Sequence, residues 1–181
     1  MLARLMTAAV VALLMFSAPA SAADSENLQL FRDVQRQVLR YPHFTIFDSV
    51  HANVSNGRVT LVGKVTMPYK KNDIERRVRG LASVERLVNR IEVLPVSQFD
   101  DDLRFRIARA IYSNPNFRPF ASMVNPPIHV IVERGRVTLE GVVNSEVDRM
   151  LARSIASNFL AFDVKNALKT EAEVKAELEQ L

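Results

Sequence analysis

The chain has 181 residues, with 24 Lys and Arg against 20 Asp and Glu, and it has no cysteine. The absence of cysteine excludes disulfides, thiol catalysis, cysteine-based zinc sites and a lipid anchor on an N-terminal cysteine. A hydrophobic share of 48% and a net charge of +4 are typical of a globular chain with one medium domain or two small ones.

The first 22 residues are predicted to be an export signal. Arg4 supplies a short positive leader, residues 5–16 are apolar, and Ala20 and Ala22 occupy the small-residue positions before a cleavage site at Ala23. The apolar run is too short to cross a bilayer comfortably, and this order of regions is that of a secretory signal. We therefore expect cleavage after Ala22 and an exported mature chain. The alternative is a buried helix of the domain.

One segment then occurs twice, as 56-NGRVTLVGKV-65 and 134-RGRVTLEGVV-143. Alternating apolar residues precede each copy, as in a half-buried strand, and Gly57 and Gly135 mark tight turns. Two strands joined by such a turn pair antiparallel. Each copy is therefore predicted to be a β-hairpin.

The second strand of each hairpin carries a glycine on its predicted core face, Gly63 in the first copy and Gly141 in the second. A glycine at such a position marks a bulge or a close approach of another backbone. We assign this approach to a helix that crosses the sheet.

Matching elements flank the two hairpins. Apolar residues at helical spacing precede each one and stop at Pro42 or Pro115, which cannot continue the helical ladder. A second helix and a last strand follow. Asn89 and Asn166 fall on the core side of these last strands, where an amide either satisfies buried backbone groups or contacts a polar ligand.

Each repeat is thus predicted to read helix, strand, strand, helix, strand. Two helices on one face of a three-stranded sheet give a two-layer α+β sandwich. We place the first unit at 27–95 and the second at 100–170, followed by a charged C-terminal helix or tail at 171–181.

The pattern of a helix, V-x-x-G-x-V-x-L-x-G-x-V, a helix and V-x-x-V-x-N-x-L resembles the BON domain, named for bacterial osmotically inducible and nodulation proteins. The two copies carry the pattern at Val54, Gly57, Val59, Leu61, Gly63, Val65, Val84, Leu87, Asn89 and Ile91, and at Val132, Gly135, Val137, Leu139, Gly141, Val143, Val164, Asn166 and Leu168, with Ala161 where the first copy has Val84.

The resemblance implies an α-β-β-α-β fold without known catalysis. It also implies periplasmic proteins that act in envelope integrity, phospholipid binding or chaperoning. Because cysteine is absent, the chain is similar to the soluble members induced by envelope or osmotic stress rather than to lipoproteins. We therefore expect it in the periplasm of a Gram-negative cell.

The chain offers little for catalysis or cofactor binding. His43, His51 and His129 are its only histidines, and none stands at metal-ligand spacing with carboxylates. No Ser-His-Asp set and no phosphate-cradling glycine loop occurs. We expect no enzyme activity, no cofactor and no metal.

The loop before the second hairpin, residues 116–127, is longer than its counterpart at 43–49. It contains three prolines, which disfavour regular structure, and it is apolar. If it projects, it forms a contact patch for lipid or protein; the alternative is packing against the neighbouring unit. The contact candidates are Phe117, Arg118, Phe120 and Met123.

A basic stretch, 70-KKNDIERRVRG-80, lies on the predicted second helix. Arg76 and Arg79 fall opposite the apolar face, so they either meet an anionic headgroup or an acidic partner, or form an ordinary solvated face. Nucleic acid is a poor partner because the chain is exported and no aromatic residues interleave with the basic ones.

Two functional hypotheses follow from these residues. In the first, the protein binds anionic phospholipid weakly and peripherally through the long loop and the basic helix, and supports envelope integrity or stress tolerance. In the second, it is a soluble periplasmic chaperone or scaffold for unfolded or partner proteins. The sequence does not choose between lipid and protein partners and gives no oligomeric state.

Overall fold

A computed structural model describes residues 20–178, with side chains for residues 24–177. Residues 1–19 of the predicted export signal lie outside the described range. The elements in chain order are α1 (Ala20–Leu39), β1 (Ser49–Ser55), β2 (Arg58–Val65), α2 (Pro68–Arg79), β3 (Arg86–Val93), α3 (Gln98–Ser113), a 3₁₀ turn (Arg118–Ser122), β4 (Ile128–Glu133), β5 (Arg136–Val143), α4 (Glu146–Ala156), β6 (Asp163–Thr170) and α5 (Glu171–Leu178).

The described strands form two three-stranded sheets of the same topology. In each sheet the hairpin strands pair antiparallel, and the third strand lies parallel beside the second, in the orders β1-β2-β3 and β4-β5-β6. The helix between the second and third strands makes the crossover that a parallel pair requires. The prediction of two tandem α+β units is confirmed.

Each unit has its own core between its helices and one face of its sheet. In the first unit, Val34 of α1 and Ile74 of α2 pack with Leu61 of β2. In the second unit, Ile107 of α3 and Ala152 of α4 pack with Leu139 of β5. The apolar residues at helical and strand spacing in the sequence are therefore the ones that become buried.

Gly63 and Gly141 allow a close approach, but the approaching group is not a helix. A Cβ on Gly63 would lie 2.1 Å from the backbone oxygen of Ser49, and one on Gly141 would lie 1.8 Å from that of Pro127. Both glycines have a positive φ, +130° and +123°. The close neighbour is thus the chain entering the first hairpin strand, and our assignment to a helix was wrong.

Asn89 and Asn166 tie the last strand of each sheet to the preceding helix. Asn89 Nδ2 donates to Glu75 Oε2 at 2.8 Å, and Asn166 Nδ2 donates to the Arg149 carbonyl at 2.9 Å. Each asparagine oxygen also accepts from the backbone N–H two residues later in its own strand. These bonds satisfy half-buried polar groups, so both amides act within the fold and are not free to contact a ligand.

Candidate functional site

The long loop of the second unit divides between core and surface. Phe117 is completely buried and belongs to the core of the second unit, so its prediction as a contact residue was wrong. Phe120 is half-buried against the same core, Arg118 is exposed, and Met123 is 53% exposed. The loop therefore presents an exposed end rather than the continuous apolar patch that a projecting loop would form.

The basic face of α2 is exposed, but its charges are paired within the helix. Arg76 Nη2 lies 3.0 Å from Asp73 Oδ1, and Arg79 pairs with Glu75 one turn earlier. Such exposed pairs contribute little to stability, yet each carboxylate offsets the charge that an anionic surface would meet. The two arginines are weaker candidates for headgroup contact than their sequence position indicated.

The short loop of the first unit joins the two units. Ile46 and Phe47 pack against the core of the second unit, and the Phe47 and Phe105 ring centroids are 4.7 Å apart. The backbone N–H of Val130 donates to the carbonyl of Ile46 at 2.7 Å, so this segment lies along the edge strand β4. We call residues 44–48 the docking segment.

A buried ion pair holds the docking segment in place. Asp48 is fully buried, and its carboxylate accepts from Lys70 Nζ at 2.6 Å. Its two oxygens also accept from the backbone N–H and hydroxyl groups of Thr45 and Thr66. Neither oxygen of this buried carboxylate is therefore left without a hydrogen-bond donor. The sequence does not predict the roles of Asp48 and Lys70, because the two residues become partners only in the fold.

Polar contacts between the units involve two of the three histidines. His129 Nδ1 lies 2.6 Å from the carbonyl oxygen of Asp48, and burial lowers the pKa of this histidine. His51 Nε2 lies 2.9 Å from Glu140 Oε2, and this hydrogen bond is the largest cause of the lowered pKa of Glu140. His51 of the first unit and His129 of the second unit thus each contact the other unit.

Ser49, His51 and Glu140 combine the residue types of a hydrolase triad without its geometry. Ser49 Oγ lies 3.1 Å from His51 Nε2 and also donates to Glu140 Oε2. A triad needs the serine and the acid on different ring nitrogens of the histidine, whereas here both contact Nε2. The cluster is a bridge between the units and does not activate the serine.

An exposed apolar cluster lies at the turn end of the second unit. Phe99 is 54% exposed, Leu160 84% and Phe162 81%. Atoms of Phe162 and Phe99 lie 2.7 and 3.4 Å from the point where a Cβ on Gly135 would stand, so the two rings flank the β4–β5 turn. We call Phe99, Leu160 and Phe162 the apolar tip.

The equivalent end of the first unit is polar. Glu85 packs on Gly57 as Phe162 packs on Gly135, and each donates its backbone N–H to that glycine's carbonyl. Asn27 and Asp100 both accept from backbone N–H groups of the hairpin turn, which places Glu26 where the second unit has Phe99. Folding of the repeat therefore does not demand apolar residues at this end. This contrast was not predicted, although it is present in the sequence when the two copies are aligned.

Two general properties concern the described residues. Among residues 20–178, no helix combines the length and the apolar character needed to cross a bilayer. Over the same range, no three His, Asp or Glu side chains come together in a way that could hold a metal ion.

Comparisons with curated proteins, solved structures and protein-family models bear on the family of the chain. No curated protein matches the chain significantly. Two structures of CdsD, a structural protein of the type III secretion system of Chlamydia trachomatis, are similar at 19% and 15% identity with TM-scores of 0.32 and 0.28. They cover 84% and 83% of this chain and 70% and 97% of theirs, and the first is the C-terminal domain. The family model described as BON domain matches residues 29–95 and 99–172. The chain accordingly belongs to the BON-domain family, with two copies in tandem.

Proposed function

We propose that this protein is a non-enzymatic periplasmic module that binds anionic phospholipid reversibly and peripherally, in support of envelope integrity or stress tolerance. The observation that carries the proposal is the apolar tip. Three large apolar side chains stand in solvent at one end of the second unit, where the first unit has acidic or polar residues. Exposed apolar groups concentrated in this way are typical of a contact surface.

The charges beside the apolar tip support a membrane as its partner. Arg134 of the β4–β5 turn and Arg136, the first residue of β5, flank Gly135, and both side chains are exposed. Their guanidinium groups form no ion pair or hydrogen bond with the described residues, in contrast to Arg76 and Arg79. Aromatic side chains next to free basic groups match the interface between acyl chains and anionic headgroups.

The expected affinity is low. Half-burial of three apolar side chains contributes about 1 kcal/mol each, and each arginine near anionic lipid adds about 1 kcal/mol. The sum of about 5 kcal/mol corresponds to a dissociation constant of about 0.2 mM. Attachment through a single tip is therefore transient.

The decisive experiment is vesicle flotation of the chain without residues 1–22. We expect flotation with phosphatidylglycerol vesicles and little with phosphatidylcholine vesicles. The double variant Phe99→Ser with Phe162→Ser should lose most of this flotation while keeping its melting midpoint, because both side chains are largely exposed. Met123→Ser with Val124→Ser, which changes the exposed end of the long loop, is the matched control and should float normally.

Two results would contradict the proposal. If the loop variant loses flotation and the tip variant keeps it, the membrane contact is the one favoured by the sequence. If wild-type protein does not float, but the tip variant alone fails to suppress aggregation of a denatured client, the tip is a chaperone surface for unfolded protein.

The proposed location has a separate test. Mass spectrometry of the protein from the periplasmic fraction should find Ala23 at its N-terminus. An intact Met1, or recovery of the chain only from the cytoplasm, would remove the periplasm from the proposal.

A further inference from the structure

The two sheets enclose a polar cleft between the units. It is lined by residues on the sheet faces that point away from the helices, and its volume is about 640 Å³. Arg90 and Glu92 of β3 stand on the side of the first unit, and Arg136 and Thr138 of β5 stand on the side of the second. A volume of this size accommodates a small molecule rather than a polymer.

The acidic groups of the cleft are largely paired. Glu133 pairs with Lys64 across the junction, and Glu140 accepts hydrogen bonds from Ser49 and His51. Glu92 lies 3.8 Å from Lys64 and is mostly in solvent. These contacts offset most of the negative charge that the lining carries.

Three arginines in the same cleft are unpaired. The guanidinium groups of Arg90, Arg134 and Arg136 form no ion pair and no hydrogen bond with any described residue. Asp163 stands opposite Arg136 in the strand register, yet no ion pair joins the two side chains. The cleft therefore has an excess of positive charge, supplied by both units.

We propose that this cleft is a binding site for a small phosphate-bearing anion. A guanidinium presents a planar fork of donors that matches phosphate oxygens, and a phosphate offers three strong acceptor oxygens to several such forks. The lining contains no Phe, Tyr or Met, and Val62 and Ile131 are its only large apolar residues, so an acyl chain or an aromatic ring finds little to pack against. The ligand is thus recognised by its phosphate.

This site goes beyond the proposed membrane contact. The apolar tip belongs to the second unit alone, whereas a ligand in the cleft contacts Arg90 of the first unit and Arg136 of the second. Binding there links the two units, because a ligand that contacts both stabilises their packed arrangement. The phosphate can come from a soluble ester or from a lipid headgroup, and the experiment separates these sources.

The test is a calorimetric titration of the purified protein with inorganic pyrophosphate at low salt. We expect saturable binding, weakened at least tenfold by Arg90→Gln combined with Arg136→Gln. Both side chains are exposed and unpaired, so the melting midpoint without ligand should not change. Arg153→Gln is the matched control, since Arg153 is an exposed arginine of α4 outside the cleft, and it should bind like wild type.

A second variant tests the geometry of recognition. Arg90→Lys with Arg136→Lys keeps the charge and removes the planar fork, so its affinity should lie between those of wild type and the glutamine variant. No saturable pyrophosphate binding by wild type, or equal binding by wild type and the glutamine variant, would overturn the proposal.

Flotation of Arg90→Gln alone with phosphatidylglycerol vesicles identifies the source of the phosphate, because Arg136 also takes part in the proposed membrane contact and Arg90 does not. If Arg90→Gln binds pyrophosphate more weakly and also floats less, the cleft takes a lipid headgroup. If it binds pyrophosphate more weakly and floats normally, the cleft takes a soluble phosphate. The Phe99→Ser, Phe162→Ser variant should bind pyrophosphate normally in either case, so failure of the membrane proposal leaves this test intact.

Discussion

The loop that enters the first hairpin strand has opposite destinations in the two units. In the first unit it is short, and its Ile46 and Phe47 leave their own unit to pack on the second. In the second unit it is longer, and its Phe117 turns inward to fill its own core. Two copies of one fold thus use the same position in the repeat for two purposes. This loop therefore distinguishes the units, whereas the hairpin is repeated in both of them.

The largest expected effect comes from disturbing a contact that both loops make. Both loops end against a strand glycine, Ser49 against Gly63 and Pro127 against Gly141. Gly141→Val combines a strained φ with a clash against backbone, so we expect a loss of about 5 kcal/mol in the free energy of unfolding. Urea denaturation measures the loss. Gly63→Val should cost a similar amount, and Gly80→Ala, at a glycine with ordinary φ and a nearest contact of 3.4 Å, should cost little.

Phe117→Ala separates the loop of the second unit from that of the first. Because Phe117 is completely buried, its truncation leaves a cavity, and we expect a loss of about 4 kcal/mol. Met123→Ala in the same loop is the control, since that side chain is 53% exposed. Equal melting midpoints for the two variants would contradict the placement of Phe117 in the core.

Asp48→Ala acts on the docking segment. It leaves the Lys70 ammonium buried without its carboxylate, so we expect a loss of about 3 kcal/mol, centred on the first unit and its junction. Asp102→Ala, at an exposed aspartate of α3, is the control. A variant with wild-type stability would mean that the ion pair does not hold the segment.

The smallest effect is a dependence on pH. Burial lowers the pKa of His129, so the folded protein resists protonating it, and the unfolded chain binds the proton first. Stability should therefore fall as the pH drops below the ordinary histidine value. Asp48, Glu140 and His51 are the titratable groups that act on it.

The histidine responsible can be identified by substitution. The decline in melting midpoint between neutral and mildly acidic pH should be absent in His129→Gln and present in His43→Gln. Glu140 contributes in a lower range, because its lowered pKa makes its stabilisation disappear only under more acidic conditions. A decline of unchanged size in His129→Gln would contradict the assignment.

The sequence predicts the elements well because their signals are local. Strand alternation, helical spacing and the Gly57 and Gly135 turns each lie within a few residues, and the repeat supports them twice. The destinations of the loops depend on distant partners. Nothing near Phe117 distinguishes a core side chain from an exposed one, and nothing near Asp48 indicates that Lys70 will be its partner.

Two features of the candidate site were within reach of the sequence. Asp73 and Glu75 precede Arg76 and Arg79 at helical spacing, so the pairing that weakens this basic face could have been predicted. The substitution of Glu85 by Phe162 between equivalent positions is visible in the aligned copies. The free arginines of the cleft were not predictable, because they come together only when the two sheets pack.

The hydrogen bond between Val130 and Ile46 bears on aggregation. An uncovered edge strand offers unpaired backbone groups to any passing chain, and here the docking segment covers part of β4. During synthesis Ile46 and Phe47 stay exposed until α3 and β4, which cover them, have been made. Separated from each other, the first unit would expose the apolar docking segment, and the second unit would expose the backbone edge of β4. Because the two units cover these surfaces for each other, neither unit alone is protected against aggregation.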